Sequence, residues 1–317
     1  MLPTVPQGIF PAHCGNTDGR TEGSTGGTPG LIDLCAEAEA SGAGGLWAVD
    51  HLFWPGPVLE CLTTLSVASV ATERVPIGSC VLQLPLRRPA AVAKQAAALQ
   101  LLSGGRFVLG VGVGSHQGEY EAAGVDYRRR GRLLDEGLAE VRRAWASAAD
   151  PGAPYRQAPA ADPVPVWIGG ASDAAIARAA RTGDGWVPVF LEPDEYRLGL
   201  RRLREAEAAA GRPPGAVTAA VVVMARVGGP EAAEDGARWL SSLYGAPPKA
   251  FERHLVAGPA DRCAERLAEY HSAGAEHVVV MTASDVVEET WGELLGRLAR
   301  PGPAETPDRA TLMEVMT

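Results

Sequence analysis

Along nearly the whole chain, short runs rich in β-branched residues alternate with longer runs of helical periodicity, and this alternation constrains the fold more than any other feature. The runs that read as strands are 5–10, 45–49, 75–82, 106–112, 165–168, 185–189, 217–225 and 276–281. Helical patterns span 29–41, 57–72, 89–102, 129–148, 173–181, 192–210, 232–244 and 259–273, and a last one spans 286–299. Pro29 and Pro89 open helical runs, where a missing N–H is harmless, and Gly42, Gly104 and Gly211 follow others, where positive φ is commonly needed. Strands that alternate with amphipathic helices form a parallel sheet with both faces covered. Eight such units predict an α/β fold, a single (β/α)8 TIM barrel with insertions in its βα loops, over residues 1–300, and 317 residues suit that size. An open doubly wound sheet is the rival. Against it, no early strand leads into Gly-x-Gly-x-x-Gly, because the run from Gly110 has Ser115 at its sixth position.

Composition narrows the function classes. Lys+Arg number 29 against 38 Asp+Glu, a net charge of −9, which disfavours a nucleic-acid partner. No apolar run is long enough to cross a bilayer, and Met1-Leu2-Pro3-Thr4 lacks the basic start of a signal peptide. Cys14, Cys35, Cys61, Cys80 and Cys263 are odd in number and never spaced Cys-x-x-Cys, which disfavours a disulfide framework or a metal site. A cytoplasmic enzyme acting on a small-molecule substrate is expected, with a homodimer admitted. Two segments break the rhythm. Residues 14–28 form a Gly/Thr-rich stretch that reads either as a lid or as a disordered insertion, and 149–164 is a Pro/Ala-rich connection. The tail 301–317 is expected to be poorly ordered.

Three places carry chemistry. The second strand ends in Asp50-His51, and in a barrel such residues point into the catalytic mouth, where a histidine moves protons near neutral pH. The third strand carries Cys80-Val81, and with no Cys/His/Asn arrangement in view Cys80 reads as a small buried hydrophobe. The fifth ends in Gly169-Gly170-Ala171-Ser172 directly before a helix. That turn suits a phosphate at the helix N-terminus, or Ser172 simply caps the helix.

These motifs recur as a set. Trp47-x-x-Asp50-His51, Leu82-x-Leu84-Pro85-Leu86-Arg87-x-Pro89, Leu102-Ser103-Gly104-Gly105-Arg106-Phe107, Trp167-Ile168-Gly169-Gly170 and Gly183-Asp184-Gly185-Trp186 stand in the order seen in luciferase-like flavin/F420 oxidoreductases, which the chain resembles over roughly residues 5–300. The resemblance implies a (β/α)8 barrel that holds coenzyme F420, or alternatively FMN, at its C-terminal mouth. It implies His51 on the substrate side, and Asp50, Cys80, Val81, Gly112, Gly114, Gly169, Gly170, Ala171 and Ser172 on the cofactor. A histidine so placed titrates near neutral pH and is the expected catalytic proton donor, the alternative being that it only shapes the pocket and solvent supplies the proton. It also implies a cis peptide between Cys80 and Val81. The substrate pocket is expected to include Phe53, Trp54, Gln83, His116 and Glu119, the last two on the fourth βα loop as weaker candidates for the acid. Ser115 stands where F420-dependent glucose-6-phosphate dehydrogenases carry a glutamate acid, which argues against that substrate. The expected reaction is hydride transfer to a C=C or C=N bond of a bulky metabolite, with an FMNH2- and O2-using monooxygenase and a cofactor-free binding or accessory barrel as alternatives.

Overall fold

The structure, a computed structural model, describes residues 7–9, 28–56, 58–284 and Leu294. The tail 301–317, the stretch 14–27 and nearly all of the last helical pattern lie outside the described residues. The chain forms an α/β fold with a parallel sheet. Its strands are β1 (Gln7–Ile9), β2 (Gly45–Ala48), β3 (Ile77–Ser79), β4 (Leu82–Gln83), β5 (Phe107–Gly112), β6 (Val166–Gly169), β7 (Gly185–Val187), β8 (Thr218–Val227), β9 (Leu255–Gly258) and β10 (His277–Thr282). Hydrogen-bonded neighbours run β10-β1-β2-β3-β5-β6-β7-β8, every pair parallel, and the sheet curls until β10 also bonds β8 along His277–Thr282.

Between the strands lie α1 (Thr28–Ala40), α2 (Cys61–Ala71), α3 (Pro89–Leu102), α4 (Gln117–Ala122), α5 (Arg130–Ala146), α6 (Asp173–Thr182), α7 (Pro193–Ala209), α8 (Ala232–Tyr244) and α9 (Ala260–Ser272). Eight of the predicted strand runs therefore hold strands, and α3 and α8 match the sequence reading residue for residue. The third run is broken in two, because Cys80 and Val81 interrupt the ladder between β3 and β4. Two elements were not anticipated. Strand β9 extends the upper part of β8, pairing Leu255–Gly258 with Met224–Val227, so α8 is an insertion and α9 is the crossover into β10. Helix α4 occupies what the sequence suggested was loop.

Side chains alternate across the sheet, as the two-residue period requires. Leu46, Ile77, Leu109, Ile168, Val221 and Val280 pack outward against the helices. Trp47, Val108, Trp167, Val222, Met224 and Val279 fill the concave side. Trp47 and Trp167 stack there at 4.7 Å between ring centroids, an arrangement worth about 0.5–1.5 kcal/mol beyond its buried area. The rings need bare backbone beside them: a Cβ on Gly78 would stand 2.5 Å from Trp47, and one on Gly185 would stand 2.3 Å from Trp167. Since all strands are parallel, Asp50, Cys80, Gly112 and Gly169 share one rim, each at or just beyond the C-terminal end of its strand.

Candidate active site

At that rim, Asp50 is buried and both of its oxygens are engaged. Oδ2 accepts the Gln83 backbone N–H at 2.8 Å and Arg87 Nε at 3.3 Å, while Arg87 Nη2 donates to Oδ1. Arg87 also donates Nη1 to Glu60 Oε1 at 2.8 Å, and Glu60 caps α2 by accepting Thr63 N–H at 2.7 Å. Burial opposes the Arg87 charge, but Asp50 and Glu60 outweigh it and raise its pKa. The Asp50 carboxylate thus bolts β4 to the end of β2, and Gln83 Nε2 adds a bond to Asp50 O at 2.8 Å.

His51, the next residue, points the other way. Its Nδ1 lies 3.0 Å from Glu119 Oε2, and the side chains are 19% and 1% exposed. Glu119 accepts four donors: the Leu52 N–H at 2.7 Å, the Phe53 N–H at 3.2 Å, Gln83 Nε2 at 3.2 Å and the histidine. Burial alone would raise the Glu119 pKa. The His51 hydrogen bond and charge, with the bonds from Gln83 and the Phe53 N–H, reverse that and hold it at about 2. An ionised carboxylate only accepts, so the His51 proton sits on Nδ1 and Nε2 is the nitrogen left for chemistry.

Sequence reasoning put Glu119 on a loop and ranked it behind His51 for that reason. The structure corrects this: α4 presents Glu119, and the fully buried Tyr120 anchors the helix by donating its hydroxyl to Val113 O. Six residues are too few to show a helical period, so the element was invisible to periodicity.

Trp54 covers one face of the imidazole, its ring centroid 3.6 Å away. From Trp54 an aromatic wall continues to His116 at 4.8 Å and to Tyr244 at 5.3 Å, then from Tyr244 to Phe190 at 5.3 Å and from Phe190 to Phe251 at 5.8 Å. Phe190 holds a left-handed φ of 57° just beyond β7. Burial pushes the Tyr244 hydroxyl up to about 12, so it stays protonated. Trp54 and His116 were named from sequence; Phe190, Tyr244 and Phe251 were not, because α8 reads as an ordinary crossover until β9 is seen. Phe53 is 59% exposed and has no ring contact with this wall among the described residues.

The glycines on the rim have two different uses. A Cβ on Gly112 would come within 2.5 Å of Val81 Cγ2, and one on Gly169 within 2.9 Å of Val81 Cγ1, so these two seat the Val81 side chain. The room beside Gly114 is filled by Gln83, whose Oε1 would lie 1.9 Å from an added Cβ. Gly170 has φ +112°, a conformation few other residues adopt. After it, Ser172 Oγ accepts the Ala175 N–H at 3.3 Å, which is the capping role, and Ala171 and Ser172 are exposed beside the start of α6. Asp173 in that first turn pairs with Arg202 at 3.3 Å. Cys80 is buried, and burial pushes its thiol well up, away from thiolate chemistry. The Cys80–Val81 peptide is cis.

A family model described as luciferase-like monooxygenase matches residues 11–247, well over half of the chain. The chain belongs to that family. Among similar sequences, an uncharacterized Mycobacterium tuberculosis protein is 31% identical over 212 residues, 57% of this chain and 72% of the relative. A phthiodiolone/phenolphthiodiolone dimycocerosates ketoreductase of Mycobacterium kansasii is 28% identical over 263 residues, 70% of this chain and 71% of the relative. Among solved structures, an F420-dependent secondary alcohol dehydrogenase superposes with a TM-score of 0.77 at 18% identity, covering 94% of this chain and 99% of that one. A monooxygenase from Streptomyces bottropensis superposes at 0.71 with 20% identity, covering 92% and 96%. These likenesses fix the fold of this luciferase-like chain.

Proposed function

We propose that this luciferase-like protein is an F420-dependent oxidoreductase that exchanges hydride between the deazaflavin and a polarised double bond of a bulky, largely apolar metabolite. A carbonyl is the first choice, with C=C or C=N next. The observation that carries the reading is the His51–Glu119 pair, because hydride addition to such a bond needs a proton delivered to the neighbouring atom. The ketoreductase relative and the secondary alcohol dehydrogenase neighbour favour the carbonyl. The ring of pairings, in which β10 bonds both β1 and β8, supports closure of the sheet as an eight-stranded barrel with this site at its C-terminal mouth.

The residues present fit a deazaflavin. Gln83 Oε1 is a buried acceptor with no partner at the rim, suited to a ring N–H. The exposed turn at Gly170–Ser172 leads into α6, where backbone N–H groups and the helix dipole suit a phosphate. When bound, the cofactor supplies the hydride. His51 supplies the proton: Glu119 holds Nδ1–H and so orients the ring, and Nε2–H donates to the substrate oxygen or other adjacent atom. In the oxidative direction the bare Nε2 accepts the same proton. Trp54, Tyr244 and Phe190 exclude water and fit an apolar substrate body.

The rival reading, an FMNH2- and O2-using monooxygenase, draws on the monooxygenase neighbour. Titrating apo-protein with F420 and with FMN, each followed by its own fluorescence, separates them. Saturable F420 binding without FMN binding supports the proposal, FMN binding alone supports the rival, and binding of neither sinks both.

A further inference from the structure

Away from the mouth, a cavity of about 280 Å³ lies between α3, α5 and the strap that connects α5 to β6. Val166, the first residue of β6, and Asp184, just before β7, lie at its edge, which puts it at the opposite end of the strands from His51. Its volume equals about nine waters, near the lower end for small-ligand pockets. Ala97, Trp145, Ala161, Pro163, Val164 and Val166 give it apolar walls.

Its polar lining is Arg142, Gln157, Asp162 and Asp184, of which Asp162 is exposed. Gln157 Nε2 is buried with no partner, although the strap around it is well tied. The Gln157 N–H bonds Ser147 Oγ at 3.0 Å, and Gln100 Nε2 bonds Pro163 O at 3.0 Å. Arg142 is half-buried on α5. Its Nη2 donates to Thr182 O, yet no carboxylate closes an ion pair with it among the described residues. The nearby Arg212 adds like charge, and burial already presses the Arg142 pKa down. Asp184 is within electrostatic reach, but its Oδ2 is held by the Val166 N–H at 2.9 Å. The indole N–H of Trp145 is likewise engaged, by Ala93 O at 2.9 Å, so that ring offers only its apolar surface.

We infer that this cavity is a second ligand site, separate from the active site, that takes a small carboxylate with a short apolar tail. The carboxylate meets Arg142 and Gln157 Nε2, and the tail lies along Trp145, Val164 and Val166. A carboxylate satisfies both donors at once, and its bond to a guanidinium is of the strong, charge-assisted kind.

The test is calorimetric titration of the full chain with sodium hexanoate, and with hexanamide as the uncharged counterpart. Hexanoate should bind saturably at one site per chain, and hexanamide at least about tenfold more weakly. Arg142→Met should weaken hexanoate by about tenfold or more, Gln157→Leu by roughly three- to tenfold, and Ala161→Phe should abolish binding by filling the space. His51→Ala should leave hexanoate binding unchanged, which separates this cavity from the mouth. Should Arg142→Met fail to fold, the two strap variants decide, since Gln157 and Ala161 lie outside the packed core. The inference is overturned if hexanoate gives no saturable heat, if hexanamide binds equally well, or if folded Gln157→Leu and Ala161→Phe bind hexanoate like the parent chain.

Discussion

Replacing Glu119 by Gln keeps the shape of the side chain and removes one acceptor from a carboxylate that serves four donors. The amide oxygen can answer either the Leu52 and Phe53 N–H groups or the His51 and Gln83 side chains, but not both. If it keeps the backbone pair, its NH2 faces Gln83 Nε2, donor against donor, and His51 must carry its proton on Nε2 instead of Nδ1. The size of the loss follows from the carboxyl pKa, about 2 in place of 4.5. At 1.36 kcal/mol per unit, a gap of that width corresponds to roughly 3 kcal/mol at neutral pH. The sign is set by a lowered folded-state pKa: the contribution is complete above about pH 4.5 and fades as pH falls towards 2. Urea unfolding of parent and variant should therefore differ by roughly 2–3 kcal/mol at pH 6–7 and converge in acid. Turnover should fall by about 10²–10⁴-fold, because a neutral His51 with its tautomer reversed no longer offers a bare Nε2 and its cation has lost its partner. Equal stability of the two proteins at pH 7, together with equal turnover, would refute this account of the pair.

Other perturbations test the frame around it. Gly112→Ala drives a methyl into Val81 Cγ2 and should cost about 1–3 kcal/mol in denaturant unfolding, with much of it regained in the double variant carrying Val81→Ala. Arg87→Met leaves Asp50 buried without its cation and should destabilise by about 3–5 kcal/mol; a loss below about 1 kcal/mol would mean that Asp50 finds another partner or water. Ser172→Ala removes the α6 cap and should cost about 1 kcal/mol while also weakening F420 binding. Unchanged affinity in a folded Ser172→Ala protein would count against a phosphate at that turn. His51→Ala should spare F420 affinity and lower turnover by about 10²–10⁴-fold, and wild-type turnover in that variant would remove His51 as the proton donor.

Much of the fold was legible because each βα unit repeats the same physical signal, a short β-branched run followed by an amphipathic one. The split of 75–82 into β3 and β4 left no trace in composition, since Cys80 and Val81 are as strand-compatible as their neighbours. Strand β9 was missed for a related reason: Leu255–Gly258 is four residues long and follows the proline- and charge-rich run 247–254, so it carries no alternation of its own. Within the site, Asp50 and His51 were legible from their position at a strand end. That the two side chains take different partners was also anticipated, since alternate residues on a strand face opposite ways. What could not be read was the partner of each, because Arg87, Gln83 and Glu119 lie 32 to 68 residues away along the chain. The glycines show the same limit. The resemblance set Gly112 and Gly114 on the cofactor, while only the packing shows that Val81 and Gln83 fill the room beside them.

The order in which these contacts depend on one another explains why so small a helix can carry so central a residue. Arg87 neutralises Asp50, and Asp50 in turn fixes the Gln83 backbone; Gln83 then reaches both back to Asp50 O and across to Glu119. Glu119 gathers the 52–53 backbone and the imidazole on one carboxylate. The position of the loop after β2 and the tautomer of His51 are consequently set by the same group, and neither can change without the other. Helix α4 alone, at six residues, lies far below the length at which an isolated helix is stable in water. Its place is secured by Tyr120 beneath it and by four donors converging on Glu119 above. It follows that Tyr120→Phe, which keeps the buried ring and deletes only the hydroxyl bond to Val113 O, should leave the packed core intact. Its effect should instead appear at the site, as faster amide exchange at Leu52 and Phe53 and a lower kcat at unchanged cofactor affinity. Parent-like exchange at those two amides would show that Glu119 holds its place without the helix being anchored.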